Sequence, residues 1–335
     1  MAHSPYSRFG IGTLEIPGGI AQRGLGGITS PLADPFAINF ANPASYSSML
    51  RTVFQVGASG KMLTIKSADK QSKVNSSQVS ELGLVFKKQG SPWAFAMGVA
   101  PYSNSGYSLT AKDSIAEIGE LVYKYDGDGG LNKALVGLSR SFLFKSAADS
   151  LDKAVIKERI HPRLSIGANL DYYFGSLTQT RRVVYDNVTY YHTKITASTN
   201  IYGLGAETGL HYITPLSVQY EENKIATSTL LLVGATWSLN PSLNTRFSEL
   251  TESFYYINGI EWPSDTVLQL DNSAASVKLP QRISIGAGIV KNFKQKGSLL
   301  LAADYHTQDW RKFSGSTGEF AASEDLKQEI GRAHV

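Results

Sequence analysis

The chain has 335 residues, 42% hydrophobic and only 18% charged, with 31 Gly, 17 Tyr, 14 Phe, 4 Trp, no Cys and a formal net charge of +4. This balance excludes a disordered chain, which needs low hydrophobicity and a large net charge, and the missing cysteines exclude disulfide scaffolds, thiolate metal sites and cysteine nucleophiles. No run approaches the ~18 apolar residues of a transmembrane helix, and the cations behind the pI of 8.9 are scattered, so no basic tract points to a nucleic-acid partner.

From the N-terminus, no apolar signal-peptide core precedes the first polar, Gly-rich residues, so the chain reads either as cytosolic or as starting near a mature terminus. Residues 1–50 carry Pro5, Pro17, Pro31, Pro35 and Pro43 among seven glycines, which break any long strand. Yet Phe9, Ile11, Ile28, Leu32, Ile38 and Phe40 need burial. A compact, irregular plug ahead of a barrel meets both demands, since non-helical backbone at membrane depth is allowed only where protein or a watery cavity satisfies it. A mobile N-terminal arm is the alternative.

Beyond residue 50 the period becomes two, which sets successive side chains on opposite faces of a strand. Strands are predicted near residues 52–66, 78–88, 93–100, 133–144, 164–175, 178–195, 201–212, 227–239, 254–260, 283–290 and 299–306. They number roughly eleven or twelve, many of them ~9–12 residues long, enough to cross a bilayer at a tilt. In residues 164–175 one face reads Leu164, Ile166, Ala168, Leu170, Tyr172, Phe174; the other reads Ser165, Gly167, Asn169, Asp171, Tyr173, Gly175. A soluble sandwich would place Lys, Glu and Thr on its wet face. Here the non-apolar face is Gly, Ser, Asn and Ala, as a narrow or plugged lumen requires, and Tyr and Trp near strand ends suit interfacial girdles. The charges collect between strands, as in residues 145–163, read as a solvated connection or a short amphipathic helix. The longer connections 67–77, 146–161 and 215–223 are the expected external loops. The fold class is therefore an all-β transmembrane antiparallel barrel, with a soluble barrel or sandwich as the alternative.

Four motifs carry a family resemblance. Residues 33–44, Ala-Asp-Pro-Phe-Ala-Ile-Asn-Phe-Ala-Asn-Pro-Ala, contain an Asn-Pro-Ala signature. Val99-Ala100-Pro101-Tyr102-Ser103-Asn104-Ser105-Gly106-Tyr107 follows an early strand. Leu279-Pro280 opens a late one, and Asp304-Tyr305 with Trp310 closes the next. Together they resemble the outer-membrane FadL-type hydrophobic-compound transporters, and the opening Ser4-Pro5-Tyr6-Ser7-Arg8-Phe9-Gly10 is similar to a Bacteroidota-type branch that also holds barrels of type IX protein secretion. The resemblance implies a fourteen-stranded barrel closed by an N-terminal hatch, with residues 1–50 as hatch and 51–329 as barrel. The strand count falls short of that number, as a truncation after Gln328 would explain, and such an open barrel should not be stable in lipid. Residues 330–335 read as a translated sequencing adapter, hence a non-native tail.

What the resemblance implies about function is an outer-membrane channel taking up fatty-acid-like or aromatic molecules past a movable hatch, with outer-membrane lipid and a hydrophobic ligand as partners. The alternative is a barrel scaffold that binds proteins for secretion or assembly. Asn42 would tie the hatch to the wall, Pro43 would fix the chain direction and Ala44 completes the signature. Asn169, Asp171, Glu207 and His211 are the candidate lumen-facing polar residues. No cofactor, metal site or catalysis is expected. The six histidines show no ligand spacing, Asp126-Gly127-Asp128-Gly129-Gly130 reads as a turn because Gly137 stands where a calcium loop needs Glu, and neither a Gly-rich phosphate cradle nor a Gly-x-Ser-x-Gly elbow occurs. The carboxylates Asp171, Glu207 and Asp304 are too scattered in sequence to pair.

Overall fold

The computed structural model describes residues 5–66, 71–116, 119–144, 160–187, 189–221, 224–239, 241–293, 297–315 and 327–334. The first fifty hold only a two-residue strand β1 (Thr13–Leu14), a five-residue helix α1 (Ile20–Gly24) and 3-10 turns at Pro5–Arg8 and Pro43–Ser48. All that follows is strand: β2 (Val53–Lys66), β3 (Gln71–Phe86), β4 (Trp93–Ile115), β5 (Gly119–Leu143), β6 (Arg163–Tyr185), β7 (His192–Glu221), β8 (Lys224–Ser238), β9 (Ser242–Ile257), β10 (Ile260–Lys278), β11 (Arg282–Phe293), β12 (Gly297–Asp309), the two-residue β13 (Ser314–Gly315) and β14 (Lys327–His334). No helix among the described residues is long and apolar enough to cross a membrane.

The strands form one antiparallel meander. β2 to β8 pair in sequence order, with β1 taking the place of β3 beside Ser103 and Asn104 of β4. β7 is long enough to pair with β8 along Glu207–Glu221 and with β9 along His192–Tyr202. Because β10 pairs with β9 and β11 with β8, the four are one hairpin broken once on each side. The breaks fall at Pro241 and Pro280, where proline withholds the donor a ladder needs, and Leu279 N–H bridges them to Pro241 O at 3.0 Å.

The sheet is curled. Ile20 is held by Glu81 on β3, and Thr29 by Asp304 on β12. The segment thus reaches strands seven ladder steps apart within nine residues, and the sheet wraps around it. Every buried hydrophobic cluster joins the two: Ile11 with Leu131, Tyr173 and Leu243; Ile38, Phe40 and Tyr46 with Val85, Ala96 and Leu135; Ile28 and Leu32 with Leu232 and Ala302. The core lies between the N-terminal segment and the inner face.

The outer face inverts the pattern of a soluble domain. Leu170 and Leu204 are 59% and 61% exposed, whereas Ser165 and Asp171 on the inner face are at 0%. The large apolar side chains of β4, β5, β6, β7, β8, β11 and β12 alternate outward in the same way.

Several expectations are corrected. Residues 126–130 are not a turn but the middle of β5, where Gly129 (φ 123°) and Gly130 (φ 150°) press the ladder so closely that a Cβ would fall about 2 Å from Ser176 O and Ser103 O. Residues 71–77 and 215–221 are strand rather than external loop, and residues 145–159 lie outside the described residues. The stretch 178–195 is interrupted between Tyr185 and His192, and 254–260 is the end of β9 and the first residue of β10, parted by a hairpin turn on Asn258-Gly259, both at positive φ, an Asn-Gly signal that the alternation masked.

Candidate functional site

The inner face is built row by row from the strand register. One row runs through Asn169 (β6), Glu207 (β7), Ser238 (β8), Arg282 (β11) and Gln308 (β12), each directly opposite the next. Another runs through Ser165, His211, Gly234, Gly286 and Asp304. Residues far apart in sequence thus become neighbours because the period is two and the meander keeps register.

The second row receives the N-terminal segment. Asp304 Oδ2 accepts from Thr29 N–H at 2.8 Å, Thr29 Oγ at 3.1 Å and Ser30 N–H at 2.9 Å, with His306 Nε2 at 3.3 Å. His211 Nε2 meets Pro31 O at 2.7 Å, which makes that nitrogen the donor. Beside them Gly234 is indispensable for space, because a Cβ there would lie 1.8 Å from Ser30 O, and one on Gly286 would lie 2.6 Å from Pro31 Cδ.

Asn42 lies over the cross-strand pair Gly167 and Gly209. Its Nδ2 donates to Ser30 O at 2.7 Å and to the wall carbonyl of Leu210 at 3.2 Å, while Oδ1 caps the turn by accepting Ala44 N–H at 3.1 Å. A Cβ on Gly167 would come within 2.4 Å of the Pro43 carbonyl carbon, and one on Gly209 within 2.2 Å of Asn42 Oδ1. Further along, Ser139 Oγ donates to Ala44 O and accepts Ser47 N–H, both at 3.1 Å, and Tyr46 Oη donates to Asn169 Oδ1 at 3.2 Å.

The four candidate lumen residues all face inward and are buried: Asn169, Asp171, Glu207 and His211. The expectation that the carboxylates cannot be paired is overturned for two of them. Lys133 Nζ is 2.7 Å from Glu207 Oε2 and 3.8 Å from Asp171 Oδ2, and Arg282 Nη2 is 3.0 Å from Glu207 Oε1. Lys133 reaches Asp171 diagonally, being opposite its neighbour-but-one Tyr173, which packs edge-on against Tyr102 at 5.1 Å. Two cations and two carboxylates balance within the wall, which is how buried charge is tolerated.

Sequence reasoning did not find Glu81, Glu15, Lys133 or Arg282. Glu81 Oε1 accepts Ile20 N–H at 2.9 Å and Gln55 Nε2 at 2.7 Å. Glu15, on the N-terminal segment, meets Lys61 Nζ at 2.6 Å, Asn104 Nδ2 at 2.8 Å and Arg23 at 3.4 Å. Burial alone would raise its carboxyl, but the hydrogen bonds of Lys61, Asn104 and Gln78 together with the Lys61 charge hold it below the ordinary value of 4.5. Glu81, Lys133 and Arg282 offered one signal, a charge at an inward position of an alternating strand, whereas Glu15 lies on the irregular N-terminal segment and offered none.

Between the segment and the wall remains a cleft of about 50 Å³, lined by Glu15, Arg23, Glu81, Tyr102, Lys133 and Arg282 among others. A small-molecule pocket usually measures about 300–1,000 Å³ and is mainly apolar. This one is small, and its charged side chains share the lining with Ile16, Phe40, Ala41 and Pro101. Among the described residues, no group of three or more His, Asp or Glu is placed to hold a metal ion.

The sequence matches the BamG family over residues 1–147 and 150–329. The chain belongs to the BamG family. No curated protein and no solved structure matches it.

Proposed function

We propose that this BamG-family chain is an outer-membrane β-barrel, plugged by its N-terminal segment, that serves as a non-enzymatic docking scaffold in envelope assembly. Its outward apolar face suits lipid, and lipid in place of a second protein layer is the simplest surrounding for side chains so exposed. The observation that carries the scaffold reading is the filled interior. Hydrogen bonds from β3, β5, β6, β7 and β12 hold the N-terminal segment in place, and the cleft beside it is small. The family's name hints at outer-membrane assembly.

The second reading is the FadL-type uptake channel, favoured by the seating of Asn42-Pro43-Ala44 over the glycines of β6 and β7, where a hatch would be gripped. A locked segment separates the two. The chain has no cysteine, so Ser47→Cys with Ser139→Cys gives one thiol on the segment and one on the wall, at a site where Ser139 Oγ is 3.1 Å from Ser47 N. Under the scaffold reading, a protein partner co-purifies stoichiometrically from membranes with or without the disulfide, and uptake of labelled fatty acid equals that of a deletion strain. Uptake that is abolished by oxidation and restored by reductant would establish the channel instead.

A further inference from the structure

At the outward positions between residues 93–99, 136–142, 166–174, 204–210, 233–237, 283–293 and 299–305, Arg140 and Lys291 are the only charged side chains. Both are exposed, and both stand near the ends of their strands. β5 and β11 run parallel to each other in the meander, so these ends lie at the same edge of the sheet. Each cation lies over an aromatic ring two residues along the same face: the Arg140 guanidinium is 4.8 Å from the Phe142 ring and 4.9 Å from that of Trp93, directly across the ladder, and Lys291 Nζ is 5.3 Å from Phe293.

No ion pair involves either cation among the described residues, whereas several charges at the opposite end pair with one another: Lys112 with Glu120, Arg182 with Asp126 and Glu261, Lys194 with Glu261. A cation placed on an apolar belt, flat against an interfacial aromatic and without a carboxylate, is arranged to meet an anion from outside the protein. We infer that Arg140 and Lys291 bind the phosphates of phospholipid headgroups, and that this edge of the sheet marks one boundary of the hydrocarbon layer. The inference rests on the barrel reading and adds the lipid chemistry and the depth.

The test uses the full chain reconstituted in phosphatidylcholine vesicles with or without phosphatidylglycerol, with Trp237, Trp262 and Trp310 replaced by Phe so that Trp93 alone reports. Trp93 should be quenched most by lipids brominated near the headgroup. Native mass spectrometry should show retained phosphatidylglycerol, falling about fivefold per cation removed in Arg140→Gln and Lys291→Gln, while Arg140→Lys with Lys291→Arg keeps it. Quenching of Trp93 with unchanged lipid retention in the double Gln variant overturns the phosphate site and leaves the barrel standing. Absence of quenching by any brominated lipid overturns both.

Discussion

Replacing Gly234 with alanine adds one methyl group, and the geometry says what it does. The new Cβ would stand 1.8 Å from Ser30 O, 2.3 Å from the Ser30 carbonyl carbon and 2.9 Å from Pro31 N, all backbone atoms of the N-terminal segment. Ordinary contact needs about 3.5 Å, so the segment must retreat by about 1.5 Å. The Asp304 bonds to Thr29 and Ser30, now 2.8–3.1 Å, and the His211 bond to Pro31 O, now 2.7 Å, then pass beyond hydrogen-bond range. Hydrogen bonds to a charged group are worth about 1.5–3 kcal/mol each and share one carboxylate here, so a joint loss of about 3 kcal/mol is expected, roughly a hundredfold in local opening. The strand itself should not suffer, because alanine is no worse than glycine in an extended backbone. Hydrogen exchange read by mass spectrometry over Thr29 and Ser30 should show protection falling about a hundredfold, while the amides of β8 and β11 keep theirs. Gly60→Ala, with only Ser76 O at 3.8 Å, is the control and should change nothing. If Gly234→Ala preserves Thr29 and Ser30 protection with the sheet intact, the docking argument is wrong.

Asp304→Ala leaves two amides and a hydroxyl without their acceptor, and should weaken the segment's docking by about 3–5 kcal/mol, seen as rapid proteolysis within residues 20–40 ahead of any cleavage of the strands. Lys133→Met leaves Asp171 without its cation and Glu207 with Arg282 alone, and should lower stability by about 3–5 kcal/mol, whereas Lys133→Met combined with Asp171→Leu, which keeps the Glu207–Arg282 pair balanced, should recover part of it in thermal melts. Glu15 has a folded pKa below its unfolded value, so its contribution is fully present above about pH 4.5 and is lost as pH falls through the folded value. Segment release followed by proteolysis should therefore advance on acidification below pH 4.5, and Glu15→Gln should flatten that advance.

The faces of the strands were legible because alternation survives any register. The pairing in space was not. Leu170 outward and Asp171 inward follow from period two alone, whichever strand lies next door. That Asp171 shares Lys133 with Glu207 depends on β5, β6 and β7 meeting at one offset, and no local pattern contains an offset. The same gap explains Asp126–Gly130. Two glycines at positive φ usually signal a turn, and only the neighbouring carbonyls of Ser103 and Ser176 explain why they sit mid-strand. Asn42 could be singled out from its motif, whereas Asp304 could not be given a partner, because its ligands Thr29 and Ser30 lie some 275 residues away in the chain.

An N-terminal segment without a ladder of its own must find acceptors and donors elsewhere, because each buried backbone group left unpaired costs about 1–3 kcal/mol. The wall supplies them from side chains, Glu81, Ser103, Ser139, His211 and Asp304, and supplies room by leaving out side chains at Gly167, Gly209, Gly234 and Gly286. These two provisions conflict with an apolar route. Every polar anchor that satisfies the segment also makes the inner face hostile to a hydrocarbon, and every glycine that admits the segment leaves a surface already filled by it. Moving the segment enough to open a passage would break many of these bonds together and expose the Lys133–Glu207–Arg282 group to the passing molecule. A wall shaped this way around one particular segment supports the scaffold proposed above, a barrel whose interior stays closed and whose work is done on its outer and rim surfaces.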